Sequence, residues 1–218
     1  MSGDQAVQPG PSPSAQAAET QTSGREVEVK FHADPARIRA VLASPQLAGV
    51  TISPEREIIS TYFDTPSREL MRNGLTLRLR RKGRAAPVQG VKWSGQQTED
   101  AFTRGEIEVR APDGTPDIDL FQPDLRGRLK SVIGSASLTP MFETRFKRRT
   151  AILVHGRSEM ALAIDDGAIF AGDGRLPLAE LELELKTGST ADLVNCAREL
   201  ASQCSLSLAF EPKAGRGY

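Results

Sequence analysis

The stretch Glu26-Val27-Glu28-Val29-Lys30-Phe31 alternates charged and apolar side chains without a break. Successive residues of a β-strand point to opposite faces, so Glu26, Glu28 and Lys30 share one face and Val27, Val29 and Phe31 the other. The same alternation recurs downstream. Leu75, Leu77 and Leu79 interleave with Arg78 and Arg80, and Lys92 stands between Val91 and Trp93. Glu106, Glu108 and Arg110 interleave with Ile107 and Val109, Arg145 and Lys147 flank Phe146, and Glu182, Glu184 and Lys186 interleave with Leu181, Leu183 and Leu185. A half-buried antiparallel strand ordinarily turns a mixed polar face to water. Here about six strands carry formal charge on that face, and acids and bases segregate onto different strands.

Around this core of strands, period-two segments predict strands over Ile58 to Asp64, Leu75 to Arg80, Val91 to Ser94, Glu106 to Arg110, Phe142 to Val154, Met160 to Asp165 and Leu181 to Lys186. Turn signals stand at Asn73-Gly74, Asp113-Gly114, Asp166-Gly167 and Gly172-Asp173-Gly174, which suits an antiparallel meander. Asp34 and Pro35 form a helix start, with Ile38, Val41 and Leu42 as the buried stripe. Further helices are predicted over Asp124 to Val132 and Thr190 to Ser202, the latter burying Leu193, Ala197, Leu200 and Ala201. The apolar strand faces then find their cover in the helices, and the charged faces turn inward. The expected fold is mainly β (α+β): a closed antiparallel eight-stranded β-barrel with helices packed on the outside.

Composition excludes several classes. The chain has 218 residues, 39% apolar and 26% charged, as in an ordinary globular domain. Lys plus Arg and Asp plus Glu are both 28, so no global field favours nucleic acid or a membrane surface. Residues Met1 to Gly24 are rich in Pro, Ser, Ala and Gln and are read as a disordered tail ahead of one domain over 25–218. No signal peptide or membrane-length apolar run is present, so a cytoplasmic location is expected. Cys196 and Cys204 fall eight residues apart in one predicted helix, roughly 12 Å along its axis, too far to bridge. His32 and His155 lie on strands without a plausible nucleophile and read as structural.

A closed sheet lined with charge needs contents, because unpaired buried charge is strongly unfavourable. Carboxylates at Glu26, Glu28, Asp165, Glu182 and Glu184 suit hard divalent cations, and the basic residues Lys30, Arg78, Arg80, Lys92, Arg145 and Lys186 suit a polyanion with several phosphates.

In this order the motifs resemble the CYTH superfamily, the triphosphate tunnel metalloenzymes. Glu26-Val27-Glu28-Val29-Lys30 looks like its ExExK signature. It is followed by Tyr62-Phe63-Asp64-Thr65, Leu77-Arg78-Leu79-Arg80, Lys92, Glu106-Ile107-Glu108, Arg145, Asp165-Asp166-Gly167 and Glu182-Leu183-Glu184-Leu185-Lys186. The ending Lys213-Ala214-Gly215-Arg216-Gly217-Tyr218 resembles the close of the unit in bacterial relatives that continue into a helical, histidine-rich CHAD domain. The resemblance implies a triphosphate tunnel in which Glu26, Glu28, Asp165, Glu182 and Glu184 hold Mg²⁺ or Mn²⁺. It implies Lys30, Arg78, Arg80, Lys92, Arg145 and Lys186 as phosphate ligands, with Lys213 and Arg216 near the tunnel mouth. Lys147 joins this set only if the register turns it inward; a slip of one residue brings Arg148 instead. Lys30 and Tyr62 are implied as helpers in activating water.

The expected activity is metal-dependent hydrolysis of a triphosphate, inorganic triphosphate first, to diphosphate and phosphate. Two alternatives share the same residues: a CYTH-type adenylate cyclase making cyclic AMP from ATP, and a non-catalytic polyphosphate-binding module. The expected partner is a small-molecule triphosphate or polyphosphate, with no nucleic acid and no membrane.

Overall fold

The computed structural model describes residues 27–98 and 101–218. Among these residues nine antiparallel strands form one sheet: β1 (Glu28–His32), β2 (Arg56–Asp64), β3 (Leu75–Lys82), β4 (Val88–Thr98), β5 (Ala101–Arg110), β6 (Thr139–His155), β7 (Ser158–Ala171), β8 (Gly174–Thr187) and β9 (Ser207–Leu208). Helices α1 (Pro35–Leu42), α2 (Glu69–Arg72), α3 (Pro123–Ile133), α4 (Thr190–Cys204) and α5 (Lys213–Gly217) interrupt them. The strand order is β5-β4-β3-β2-β6-β7-β8-β1-β9.

This order corrects the expectation of a closed eight-stranded barrel: among the described residues no pairing joins β5 to the other end of the sheet. The physical reason lies at β1. Its outer edge is occupied by the chain leaving α4, where Phe31 pairs with Leu208 and His32 with Ser207. The Ala209 N–H then donates to the Lys30 carbonyl at 2.8 Å. An edge strand presents unpaired backbone groups, and this short strand satisfies part of them.

The helices form where caps and apolar stripes allow. Asp34 accepts a hydrogen bond from the Arg37 N–H at 2.8 Å and Pro35 opens α1, whose Ile38 and Val41 are buried. Ser189 caps α4 by accepting from the Asp192 N–H at 3.1 Å. Both helices cover one face of β1, β8, β7 and the far half of β6, burying Phe31, Leu153, Leu162, Ile164, Leu181, Leu183 and Leu200. Cys196 and Cys204 are free thiols buried in this layer, and burial pushes both thiols up. On the same side of the sheet α2 and α3 cover β3, β4 and β5 through Leu70, Leu75, Leu77, Val91, Val109 and Leu129.

The opposite face carries the charges, with one unexpected patch. Ile58, Tyr62, Phe142, Phe146, Ile169 and Leu178 form an apolar cluster on it, packed against Ala214 and Tyr218 of the C-terminal segment. Asp166-Gly167, expected as a turn, lies inside β7, where Asp166 pairs with Ala179 and Gly167 with Leu178. The glycine serves a close approach, since a Cβ there would lie 2.0 Å from the Arg145 carbonyl oxygen and 2.5 Å from the Phe146 Cα.

Two glycines therefore respond oppositely to alanine. Gly167→Ala forces the β6 backbone to move and should destabilise by about 1–3 kcal/mol. Gly127, inside α3 with nothing within 4 Å of its would-be Cβ, should gain about 0.5–1 kcal/mol on Gly127→Ala. Urea denaturation of the two variants reads both signs.

Candidate active site

Alternation along β8 places Glu180, Glu182 and Glu184 on the charged face, opposite Leu181 and Leu183 in the helix-covered layer. Register then brings their partners. Asp165 of β7 lies beside Glu180, Lys30 of β1 beside Glu182, and Glu28 beside Glu184. Asp165 is wholly buried and Glu180 2% exposed, so their charge must be met by protein groups.

Three cations meet it directly, and a fourth, Lys30, joins through Glu182. Arg148 grips Asp165 in a fork, Nε to Oδ1 and Nη2 to Oδ2, both at 2.6 Å, and reaches Glu182 Oε2 at 2.8 Å. The Lys213 ammonium stands at the focus of three carboxylates: Glu180 at 2.6 Å, Glu182 at 2.8 Å and Asp165 at 3.1 Å. Lys30 bridges Glu28 at 3.1 Å and Glu182 at 3.4 Å. Arg216 donates to Glu180 Oε1 at 2.7 Å and to the Pro177 carbonyl at 2.8 Å.

Burial alone would push the Glu182 carboxyl up, but Lys213, Lys30 and Arg148 outweigh it and hold it well below the usual carboxylate range. Burial likewise opposes the charge on Lys213, and Glu182, Asp165 and Glu180 outweigh that and raise its pKa. Lys30 is raised in the same way, burial being overcome by Glu182 and Glu28. All three groups are ionised at neutral pH.

A second charged group lies on β3, β4 and β5. Arg78, 7% exposed, donates through Nη2 to Glu106 and, at 2.9 Å, to Glu108, while Lys92 meets Glu106 at 2.7 Å. Arg80 fares differently. Its Nε donates to Ser60 Oγ at 3.2 Å and, among the described residues, its nearest carboxylate, Glu108, is 3.9 Å away. Burial, then the neighbouring Arg78, push its pKa down to about 10. Arg80 is thus a protonated guanidinium held out of water with little local compensation, where an arriving anion gains most. Nearby, Arg78 Nε and Thr144 Oγ1 are buried without hydrogen-bond partners.

Sequence expectations divide against this geometry. Glu28, Lys30, Arg78, Arg80, Lys92, Asp165, Glu182, Lys213 and Arg216 share the charged face, as do Glu184 and Lys186, which pair with each other at 2.6 Å. Glu26 lies outside the described residues. Tyr62 is buried on this face, its ring stacked 4.4 Å from Phe142.

Arg145 and Lys147 do not join the face, and this is a correction. Both point to the other side, where Arg145 pairs with Glu143 and lies over Phe170, and Lys147, 66% exposed, pairs with Glu55 at 3.3 Å. The reason is Phe146. It lies on the charged face in the apolar patch beneath the C-terminal segment, so Arg148 takes the inward place. Glu180, Ser60 and Thr144 were not singled out from the sequence. Glu180 carried a readable signal, since it continues the alternation of Glu182 and Glu184 toward the N-terminus.

The donors are hard carboxylate oxygens, of the kind that Mg²⁺ or Mn²⁺ takes. Among the described residues, however, no three acidic, His or Cys side chains form a ready-made metal cage. The carboxylates are instead drawn together around Lys213 and Arg148, so the donor set fits a metal chemically once those cations yield.

The CYTH domain family model matches residues 24–218. The inorganic triphosphatase of Haemophilus influenzae is 28% identical over 201 residues, covering 89% of this chain and 54% of that protein, so the chain spans about half the length of this relative. Among solved structures, an adenylyl cyclase candidate from Hippeastrum, described with a dominant triphosphatase activity, superposes with a TM-score of 0.60 at 16% identity, covering 88% of this chain and 95% of that one. A Bacillus halodurans protein assigned as an adenylate cyclase superposes with a TM-score of 0.60 at 14% identity, covering 90% and 98%. At these identities the two structures establish a shared fold.

The depressed Glu182 pKa fixes a pH dependence. A carboxyl lowered on folding contributes stability that is fully present above its unfolded value near 4.5 and is lost as pH falls toward the folded value. Glu182→Gln should therefore flatten the acid limb of the stability curve below pH 4.5 by up to about 1.4 kcal/mol per pH unit, read by urea titrations.

Proposed function

The chain belongs to the CYTH family, and we propose that it hydrolyses a triphosphate, inorganic triphosphate first, to diphosphate and phosphate with Mg²⁺ or Mn²⁺ on its charged sheet face. The observation that carries the reading is the pairing of two unlike clusters on one face. Asp165, Glu180 and Glu182 converge on Lys213, and Arg80 stands close by with little compensation. The name of the Haemophilus relative points the same way.

In this reading Glu28, Asp165, Glu182 and Glu184, with Glu26 and the newly located Glu180, would hold the metal. When bound, the metal would neutralise phosphate charge and lower the pKa of an attacking water. The remaining work falls to the chain's own cations. Arg80, Arg78, Arg148 and Lys30 line the face on which the phosphates would lie, and Lys213 and Arg216 approach from the C-terminal segment. Charge on the transferred group and on the leaving diphosphate would be met by these fixed donors, where phosphoryl transfer gains most. Lys30, held protonated at Nζ by Glu182 and Glu28, orients and neutralises; it is not a base at neutral pH. Tyr62 forms the aromatic floor with Phe142, and its ring packing accounts for its place.

The test is side-by-side assay of phosphate and cyclic AMP from inorganic triphosphate, thiamine triphosphate and ATP, with Mg²⁺ or Mn²⁺. Phosphate release from inorganic triphosphate is the expected result. Cyclic AMP from ATP would replace the reading with a cyclase, and tight binding without turnover would replace it with a binding module. Arg80→Ala should raise KM for inorganic triphosphate about 10–100-fold, the worth of roughly 1.5–3 kcal/mol for a hydrogen bond to a charged group. An unchanged KM would remove Arg80 from the phosphate site.

A further inference from the structure

The segment that brings Lys213 to the carboxylates is tied down at its far end by Tyr218. The Tyr218 hydroxyl donates to Asp64 Oδ2 at 2.9 Å, and its ring meets Phe142 edge-on at 5.2 Å. Arg68 lies over the ring at 5.8 Å and donates through Nη1 to the Tyr218 main-chain oxygen at 3.0 Å. Just before it, Gly217 lies so close to Phe142 that a Cβ would fall 2.3 Å from the ring. The segment is seated by close contact along its length.

Asp64 is suited to be the fixed point. It is wholly buried at the end of β2, and its other bonds come from the backbone: Thr65 N–H at 2.7 Å and Leu70 N–H at 2.9 Å on Oδ1, and Met71 N–H at 3.0 Å on Oδ2. Three backbone donors orient the carboxylate, and the fourth donor is Tyr218. Burial, then the bond to Asp64, push the Tyr218 phenol up, so it remains a donor across the working pH range.

We propose that Tyr218 is a positioning residue: anchored on Asp64, it holds Lys213 and Arg216 against Asp165, Glu180 and Glu182, ready for the phosphates. The proposal rests on the reading of the charged face as a triphosphate site. It has two consequences of opposite sign. Loosening the anchor withdraws cations from the phosphates, so triphosphate binds more weakly. It also withdraws Lys213 from the focus of three carboxylates, so a divalent cation meets less competition and binds more tightly.

Tyr218→Phe keeps the ring and removes only the hydroxyl. Calorimetry with inorganic triphosphate and electron paramagnetic resonance with Mn²⁺ alone, on the 218-residue chain, read the two affinities without needing turnover. The expected result is triphosphate affinity weakened about 5–10-fold, less than the full worth of a hydrogen bond to a charged group because Tyr218 acts on the phosphates only through Lys213 and Arg216, and Mn²⁺ affinity tightened several-fold. A merely structural loss weakens both, and that outcome, or no change in either, overturns the proposal. If Tyr218→Phe lowers the melting midpoint sharply, Arg68→Ala, at an exposed position, removes the other hold on Tyr218 and must give the same opposed shifts. Lys213→Ala separates this proposal from the reading beneath it. If it leaves triphosphate binding unchanged, Lys213 is not a phosphate ligand. If it weakens binding while both anchor variants do not, the anchor alone is wrong.

Discussion

Asp165, Glu180 and Glu182 are held out of bulk water within 3.1 Å of one ammonium, that of Lys213. Three like charges so close repel strongly in a poorly solvated site, and the arrangement stands only because Arg148, Lys30 and Arg216 share the load. Removing one partner of such a buried set leaves its neighbours uncompensated, typically at a cost of about 3–5 kcal/mol. The constraint reaches beyond the site. It requires β1, β7 and β8 to keep their register, since a slip of one residue would carry Glu180 and Glu182 into the layer where Leu181, Leu183 and Leu200 pack.

Charge balance and apolar burial therefore specify the same pairing from opposite sides of the sheet. On one side α1 and α4 need the leucines of β8; on the other, the carboxylates need Lys30 from β1, Arg148 from β6 and Lys213 from the C-terminal segment. Agreement between independent demands is what gives a sequence one folded answer. The apolar patch of Ile58, Tyr62, Phe142 and Phe146 is where the two demands meet on one face. It gives the C-terminal segment a seat, and the segment carries its cations to the acids.

That patch also explains what could be read from the sequence. The alternation in β1, in β3 and in the part of β8 from Leu181 to Leu185 was legible because the apolar residues there belong to the helix-covered side, whereas Leu178, earlier in β8, lies on the charged face in the apolar patch. The cap at Asp34 was legible from side-chain chemistry local to its helix. In β6 the same rule misplaces Arg145 and Lys147, because Phe146 is buried against residues of β2, β8 and the C-terminal segment with its short α5, not in the layer covered by α1 to α4. Gly167 read as a turn, yet its role is a close approach to a strand that only the assembled sheet supplies. Closure failed as an expectation for a related reason: β9 takes the edge of β1, and two residues of strand carry almost no periodic signal.

The two arginines of β3 show how neighbours of one type come to differ. Arg78 and Arg80 face the same way, two residues apart, but Arg78 lies within reach of both Glu106 and Glu108, and Arg80 is left with a hydroxyl and a distant carboxylate. Burial and the charge on Arg78 then act on Arg80 together, with Arg148 adding to them from β6. Positive potential accumulates between the acid-rich strands and the arginine strand, with Arg148 bonded to the former and felt by the latter. A polyanion extended from Arg80 toward Lys213 would relieve repulsion at one end and compete for cations already bound to carboxylates at the other. Such an anion brings a divalent cation to advantage only after Lys213 and Arg148 turn from acid to phosphate. On the proposed reading, metal and triphosphate thus favour one another's binding by exchanging the partners of the same few side chains.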